Sequence, residues 1–389
     1  MLRPIGIALA LALAVGATGP FGSADAARER DPAGAADRAL DRALDRFVDV
    51  QGGPPAVVAV VQRPGADATL HAAGIADLAN DDPPTIDDHM RLASVAKAFS
   101  GAAALSVVAD GMLSLTDTLG ARVSGLPAAW ADVTLAQLLQ HTSGLPDFSD
   151  SKEFRDALRA SLLTPPPPAT LLSYVAGEPL LFEPGTKYHY SNSDNIAVGL
   201  MVEAATGRSY EQNLEDRVFA PLGLTSTSLP GDAALPEPAL HGYDVSSPAD
   251  PEDVSVALAA GWTWASGGIV ASPADANRFV RGYAAGTTTN PPTRKEQRSF
   301  LPGSSEPPGP GTNAAGLAIF RYSTKCGTVY GHTGNTAGYT QFVGATKDGS
   351  RSATVSISAQ ITPKSNTKRF GELRRIFGLA VCAALAKSA

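Results

Sequence analysis

The chain has 389 residues, a formal net charge of −7 and 18% charged residues. With no basic excess, a surface that tracks nucleic-acid phosphates is excluded. The 44% of hydrophobic residues is enough to bury one large core or two smaller ones.

In chain order, the first segment reads as an address. Arg3 supplies a positive start, Ile5 to Val15 is a short apolar run, and Ala24-Asp25-Ala26 fits a small-x-small cleavage site. The run is too short to span a bilayer comfortably, and it is continuous rather than periodic. A signal peptide over 1–26 is therefore predicted, with cleavage near Ala26 and a secreted product over 27–389. No later stretch reads as a membrane span, so no membrane association is expected after cleavage. Export makes Cys326 and Cys382 candidates for a disulfide, which the chain-entropy model values at roughly 4 kcal/mol. Two unrelated buried thiols are the alternative.

Residues 27–36 read as a loose mature terminus. Arg38 to Val50 then places Leu40, Leu44, Phe47 and Val48 on one helical face. Ala56 to Gln62 reads as a buried strand, and Thr69 to Ile75 as its hairpin partner across Arg63-Pro64-Gly65. A helical pattern opens at Ser94 and runs to Ala109, stopping at Asp110-Gly111. From there to about Ala260 the signals are helical, with many prolines. Trp264 to Ala271 reads as a return to strand, and Pro291 to Gly316 as an exposed loop rich in Pro, Gly and Ser. Three β-type runs follow, Thr328 to Gly331, Tyr339 to Ala345 and Ser352 to Ala359, with Lys347-Asp348-Gly349 as a hairpin turn. A final helix carries Phe370, Leu373, Phe377, Ala380 and Leu385 at helical spacing. Strands at both ends and helices between them predict an α/β (α+β) fold. One antiparallel sheet is flanked by helices, with an all-helical subdomain inserted. The sheet subdomain is expected at about 37–93 and 262–389, and the helical one at about 94–261.

Ser-x-x-Lys occurs three times, at Ser94, Ser149 and Ser365. Ser149 and Ser365 sit in polar stretches. Only Ser94 lies at a helix start with an apolar helix behind it. One helical turn brings Lys97 onto the face of Ser94. Packed among apolar residues, its amine would lose solvation, drop in pKa and serve as a base. Tyr-x-Asn occurs once, at Tyr190 and Asn192. The tyrosine is suited to relaying a proton and the asparagine to holding a substrate amide. Alone, that motif is more often a core tyrosine and a turn asparagine. His-Thr-Gly also occurs once, at His332, Thr333 and Gly334, and puts a hydroxyl and a cation-capable ring on a strand edge.

Together, Ser-x-x-Lys, Tyr-x-Asn and Lys/His-Thr-Gly form the signature of penicillin-recognising serine enzymes. The segments RLASVAKAFSGAAAL, LLQHTSGLPDF, EPGTKYHYSNSDNIAVG and YGHTGNTAGY resemble the class C β-lactamase and D-alanyl-D-alanine carboxypeptidase group. The resemblance covers nearly all of the chain after the signal peptide. His332 in place of the usual lysine, the motif spacing and the placing of Cys326 and Cys382 are similar to the secreted Streptomyces-type DD-carboxypeptidase/transpeptidase branch.

The resemblance implies a nucleophilic Ser94 that attacks the D-Ala-D-Ala peptide bond, with Lys97 and Tyr190 sharing the proton. It places an oxyanion hole at the backbone N–H groups of Ser94 and Asn335. It gives Asn192 the acyl-side amide and sets His332 and Thr333 against a terminal carboxylate or a lactam carboxylate. The expected partners are a peptidoglycan stem peptide or a β-lactam, the expected state is a monomer, and no metal or cofactor is needed. One departure is Asn335, where the Streptomyces-type enzyme has a second threonine. Arg321 reads as a solvated surface residue, Trp262 and Trp264 as cleft lining or core, and His141 as structural. No Gly-x-Ser-x-Gly elbow and no His-Glu-x-x-His occur, which argues against an α/β-hydrolase or a zinc peptidase. The activity expected is thus a serine D-Ala-D-Ala carboxypeptidase. A β-lactamase or esterase on the same scaffold, or a non-catalytic lactam sensor, are its rivals.

Overall fold

The structure is a computed structural model that describes residues 32–387. The predicted signal peptide and its cleavage site near Ala26 lie outside the described residues.

The main sheet has eight strands: β1 (Ala56–Gln62), β2 (Thr69–Gly74), β3 (Leu301–Pro302), β4 (Thr312–Ala315), β5 (Phe320–Thr324), β6 (Gly327–Thr336), β7 (Tyr339–Ala345) and β8 (Ser352–Ile357). Their spatial order is β2-β1-β8-β7-β6-β5-β4-β3, every neighbour antiparallel. β1 sits inside this order although it comes first in the chain, so the N-terminal hairpin and the C-terminal strands form one sheet. Its AVVAVVQ sequence is buried at all seven positions because both faces are covered. Alternation sends Val57, Ala59 and Val61 into one core, and Ala56, Val58 and Val60 into the other.

The first core lies under the two terminal helices, α1 (Pro32–Asp49) and α5 (Thr367–Leu385). Leu40, Leu44 and Phe47 of α1 and Leu373, Phe377 and Ala380 of α5 pack there against Phe342 and Val355. Phe377 stacks on Phe342 with ring centres 5.0 Å apart, and truncating it to alanine would cost about 3–5 kcal/mol. A disulfide between Cys326, in the β5–β6 turn, and Cys382 of α5 ties this layer to the sheet. α1 starts earlier than the predicted Arg38, because Pro32 fits the first helical turn and Ala33 is buried.

The second core joins the other face of the sheet to the inserted helices. Here lie α2 (Ala96–Ala109), α3 (Asn192–Thr206) and α4 (Pro273–Ala285). α2 is apolar nearly all round and rich in alanine, as a helix enclosed on every side must be. Gly101 is a point of close approach, where a Cβ would stand 2.3 Å from the Ala318 Cβ. Two predictions fail in this half. Trp264 to Ala271 is strand only at Val270–Ala271; Trp264–Gly267 forms a helical turn followed by Gly268, so the apolar run bends instead of extending. Pro291 to Gly316 is not a bare loop. Asn290 caps a helix over Pro291–Gln297 by accepting from the Thr293 N–H, and β3 and β4 extend the sheet.

Candidate active site

The three motifs meet at the junction of the sheet and the helical insertion. Leu92 donates its N–H to Ile269 O at 2.9 Å, and a 3₁₀ turn over Ala93–Val95 leads into α2. Ala93 has φ +49, a left-handed conformation that costs a non-glycine residue about 1–3 kcal/mol and marks this turn as constrained. β6 lies directly against the turn. A Cβ on Gly334 would stand 2.3 Å from Leu92 O and 3.1 Å from the Ser94 nitrogen, so only glycine lets the strand approach.

Lys97 is fully buried, one turn into the helix. Its Nζ lies 3.0 Å from Ser94 Oγ, 2.7 Å from Asn192 Oδ1 and 2.7 Å from Ser266 O. Burial pushes the amine down to about 7, against the opposing pull of Asp147 and Glu306. A neutral amine at this point has two N–H groups for Asn192 and Ser266, and a lone pair for the Ser94 hydroxyl.

Tyr190 lies just before α3, its ring 5.0 Å from Lys97 Nζ. Its buried hydroxyl has no hydrogen-bond partner within normal limits. Burial raises the phenol well above its ordinary value, while the Ser94 hydroxyl acts in the other direction. The phenol is therefore protonated at rest. Asn192 is fixed from behind: its backbone N–H and Nδ2 donate to Asp147 Oδ2 at 2.8 and 2.9 Å, and Nδ2 also reaches Ser149 Oγ at 3.2 Å. His141 packs its ring 4.5 Å from Tyr190 and holds Asp194 at 2.8 Å through Nδ1. Burial pushes His141 down and Asp194 up, so both tend to the neutral form, in a supporting position.

The third motif lies on β6, against the turn that carries Ser94. His332 is completely buried, edge-on to Phe320 at 5.0 Å. Its Nδ1 lies 2.6 Å from Thr333 O and so carries the proton, while Nε2 has no partner. Burial depresses the ring to about 3. The ring is thus neutral and packed in the core. The Thr333 hydroxyl donates to Pro307 O at 2.5 Å and is buried. Asn335 lines the cleft with Thr336, but its amide donates to Ile361 O at 2.8 Å.

The cleft beside Ser94 encloses about 190 Å³. Ser149, Asn192 and Asn335 provide its polar lining, and Phe148, Phe154, Leu158, Leu258 and Trp262 an apolar wall. Trp262 is held by an Nε1 bond to Ser161 O at 3.0 Å, whereas Trp264 is a core residue against Tyr210. Arg321 is exposed over the Phe300 ring. Asp147, Ser266 and Glu306 were not singled out from sequence. Asp147 lies within LLQHTSGLPDF, the one sequence signal that points to it. Among the described residues no group of three His, Cys, Asp or Glu side chains is placed to hold a metal.

Comparison with known proteins agrees with this constellation. The family model described as "Beta-lactamase" matches residues 38–375. A D-aminopeptidase from Brucella anthropi is 34% identical over 183 residues, 47% of this chain and 34% of that protein. Penicillin-binding protein 4* of Bacillus subtilis is 27% identical over 187 residues, 46% of this chain and 40% of that protein. The chain thus matches about a third to two fifths of the length of these curated relatives. The crystal structure of a D-stereospecific amidohydrolase from Streptomyces sp. superposes with a TM-score of 0.75 at 26% identity, covering 87% of this chain and 98% of that one. With the family model spanning nearly all the described residues and the three motifs gathered around one serine, the chain belongs to the β-lactamase family of penicillin-recognising serine hydrolases.

Proposed function

We propose that the protein is a serine amidohydrolase that cleaves amides and short peptides of D-amino acids, with Ser94 as the acylated nucleophile. The observation that carries this choice over a D-Ala-D-Ala carboxypeptidase is at the third motif. A carboxypeptidase needs a group to receive the C-terminal carboxylate. Here His332 is neutral and buried, and the Thr333 hydroxyl is taken by Pro307. Likeness to a D-aminopeptidase and a D-stereospecific amidohydrolase supports the D configuration.

In this reading Lys97, in its neutral form, takes the proton of the Ser94 hydroxyl as Oγ bonds to the substrate carbonyl carbon. The N–H groups of Ser94 and Asn335 stabilise the oxyanion. The protonated Tyr190 passes a proton to the leaving amine and is reprotonated from Lys97. Water then attacks the acyl-enzyme by the same route in reverse. Asn192 orients Lys97, and the apolar wall receives the side chain of the D-residue. Export, as the N-terminus predicts, would bring peptidoglycan stem peptides within reach as D-residue substrates.

The test is a substrate panel with intact-mass measurement: D- and L-phenylalanine p-nitroanilide, a blocked D-Ala-D-Ala stem peptide and a chromogenic cephalosporin. The D-anilide is expected to turn over, and a Ser94→Ala variant to be inactive and to form no adduct. Release of D-alanine from the stem peptide as the fastest reaction would restore the carboxypeptidase reading. Fast cephalosporin turnover without D-anilide cleavage would make the protein a β-lactamase.

A further inference from the structure

The amide of Asn192, expected to hold the substrate, is already occupied. Oδ1 accepts from Lys97 Nζ at 2.7 Å. The two Nδ2 hydrogens go to Asp147 Oδ2 at 2.9 Å and Ser149 Oγ at 3.2 Å, so none is left for an acyl-side carbonyl. The terminal torsion of an asparagine is broad and roughly two-fold, so a reversed amide is open to it. That reversal would turn an NH₂ group toward Lys97. The Asp147 carboxylate, an acceptor only, opposes it, because it can face Nδ2 but not Oδ1.

Asp147 is itself held in place. Ser193 of α3 is buried and clasps both of its neighbours: Ser193 Oγ donates to Pro146 O at 2.6 Å and accepts from the Phe148 N–H at 2.9 Å. Asp147 Oδ1 accepts from the Ser149 N–H and hydroxyl at 2.9 and 2.8 Å. Oδ2 also accepts the first N–H of α3, from Asn192, at 2.8 Å. The side chain of Ser191, at the N-cap, supplies no such bond, so Asp147 caps the helix from a distant segment. The helix dipole favours a carboxylate at that end. The loop that brings Asp147 in turns at Gly144, which has φ +76 and where a Cβ would stand 2.5 Å from Phe182 O.

We propose that Asp147 is a positioning residue: it fixes the Asn192 amide so that Oδ1 serves Lys97, committing Asn192 to the base and not to the substrate. The inference rests on the Ser94–Lys97 chemistry of the reading above and not on its substrate class. Nζ has two other neighbours, Ser94 Oγ and Ser266 O. With Asn192 Oδ1 and Ser266 O both accepting, the lone pair of the neutral amine is left for the Ser94 hydroxyl. With the amide reversed, one N–H loses its acceptor and the amine is free to turn from the serine. Asp147 also opposes the effect of burial on the Lys97 amine, ahead of Glu306 and Asp194.

Because Asp147 acts through Asn192, the test is a double-mutant cycle. The rate of Ser94 labelling by a fluorophosphonate is followed by intact mass for the full chain, Asp147→Ala, Asn192→Ala and the double variant. Asp147→Ala is expected to slow labelling roughly 10- to 100-fold in the parent background, and about twofold or less when Asn192 is already alanine. Asp147→Asn is nearly isosteric and keeps an acceptor for Nδ2, so its plateau rate should stay within about tenfold of the parent. Its acid limb, near 7 in the parent, should move to lower pH, because a charge that favours the ammonium form is gone. Thermal melts check folding, and the Asp147→Asn limb carries the test if the alanine variant unfolds. An additive cycle, with Asp147→Ala costing the same in both backgrounds, overturns the proposal, as does an unmoved limb in Asp147→Asn. A limb that moves while both Asp147 variants keep the parent's plateau rate makes Asp147 an electrostatic neighbour only, and overturns it too. A parent that is labelled but cleaves no D-anilide overturns the amidohydrolase reading alone, and a parent not labelled at Ser94 overturns both.

Discussion

The two walls of the cleft are built on opposite principles. On the helical wall the polar atoms around Lys97, the Tyr190 hydroxyl excepted, are engaged: Nζ has three neighbours, and Asn192 is held by Asp147 and Ser149. On the sheet wall the polar atoms are withdrawn. His332 Nε2 and Asn335 Oδ1 are buried without partners, and the Thr333 hydroxyl is spent on Pro307 O. Preorganised groups on one side suit the chemistry that all acyl transfers share. The edge on the other side is neutral and covered.

The largest effect should come from the helical wall. Lys97→Met removes the base and is expected to lower kcat/KM roughly 10³-fold on any substrate the parent cleaves. Tyr190→Phe removes the relay and should cost roughly 10²-fold. The parent's pH profile follows from the amine held near 7. Lys97 must be neutral to accept the Ser94 proton, so kcat/KM should fall about tenfold per pH unit below that value and level off above it. A profile without this acid limb would remove Lys97 from the role of base.

A smaller effect tests the contact between the walls. Gly334→Ala puts a methyl group into Leu92 O, and the strand must shift away from the Ser94 turn. Destabilisation of about 1–3 kcal/mol is expected in a denaturant melt, with a loss of kcat larger than the change in KM. An unchanged kcat would mean that the oxyanion site does not depend on this packing.

The helical wall was legible in the sequence and the sheet wall was not, for a physical reason. Ser94 and Lys97 are one turn apart, so local helix geometry alone relates them. The strands were legible for the same kind of reason: AVVAVVQ and the runs of β7 and β8 announce burial through composition. His332 and Thr333 were recognised as a motif, but their environment is made by residues distant in the chain. Phe320 and Tyr190 bury the ring, and Pro307 takes the hydroxyl. Proline and glycine over 291–316 suggested a solvated loop. The segment 303–311 instead lies against the Tyr188 and Tyr322 rings, because glycine permits close approach as readily as it permits motion.

The smallest predicted effect discriminates most sharply between the two walls. If His332 carried charge to a substrate carboxylate, His332→Gln would weaken anionic substrates and remove a titration from the pH profile. The ring is instead held neutral by burial, with Nδ1 donating to Thr333 O. Glutamine retains a donor and nearly the same reach and removes no charge. The variant should therefore keep kcat/KM within about tenfold of the parent, a change of under about 1.4 kcal/mol, and leave the acid limb near 7 in place. Loss of that limb in His332→Gln, with its retention in an Asn192→Asp control, would move the titrating group from the helical wall to the sheet wall. The carboxylate-binding reading of the third motif would then return.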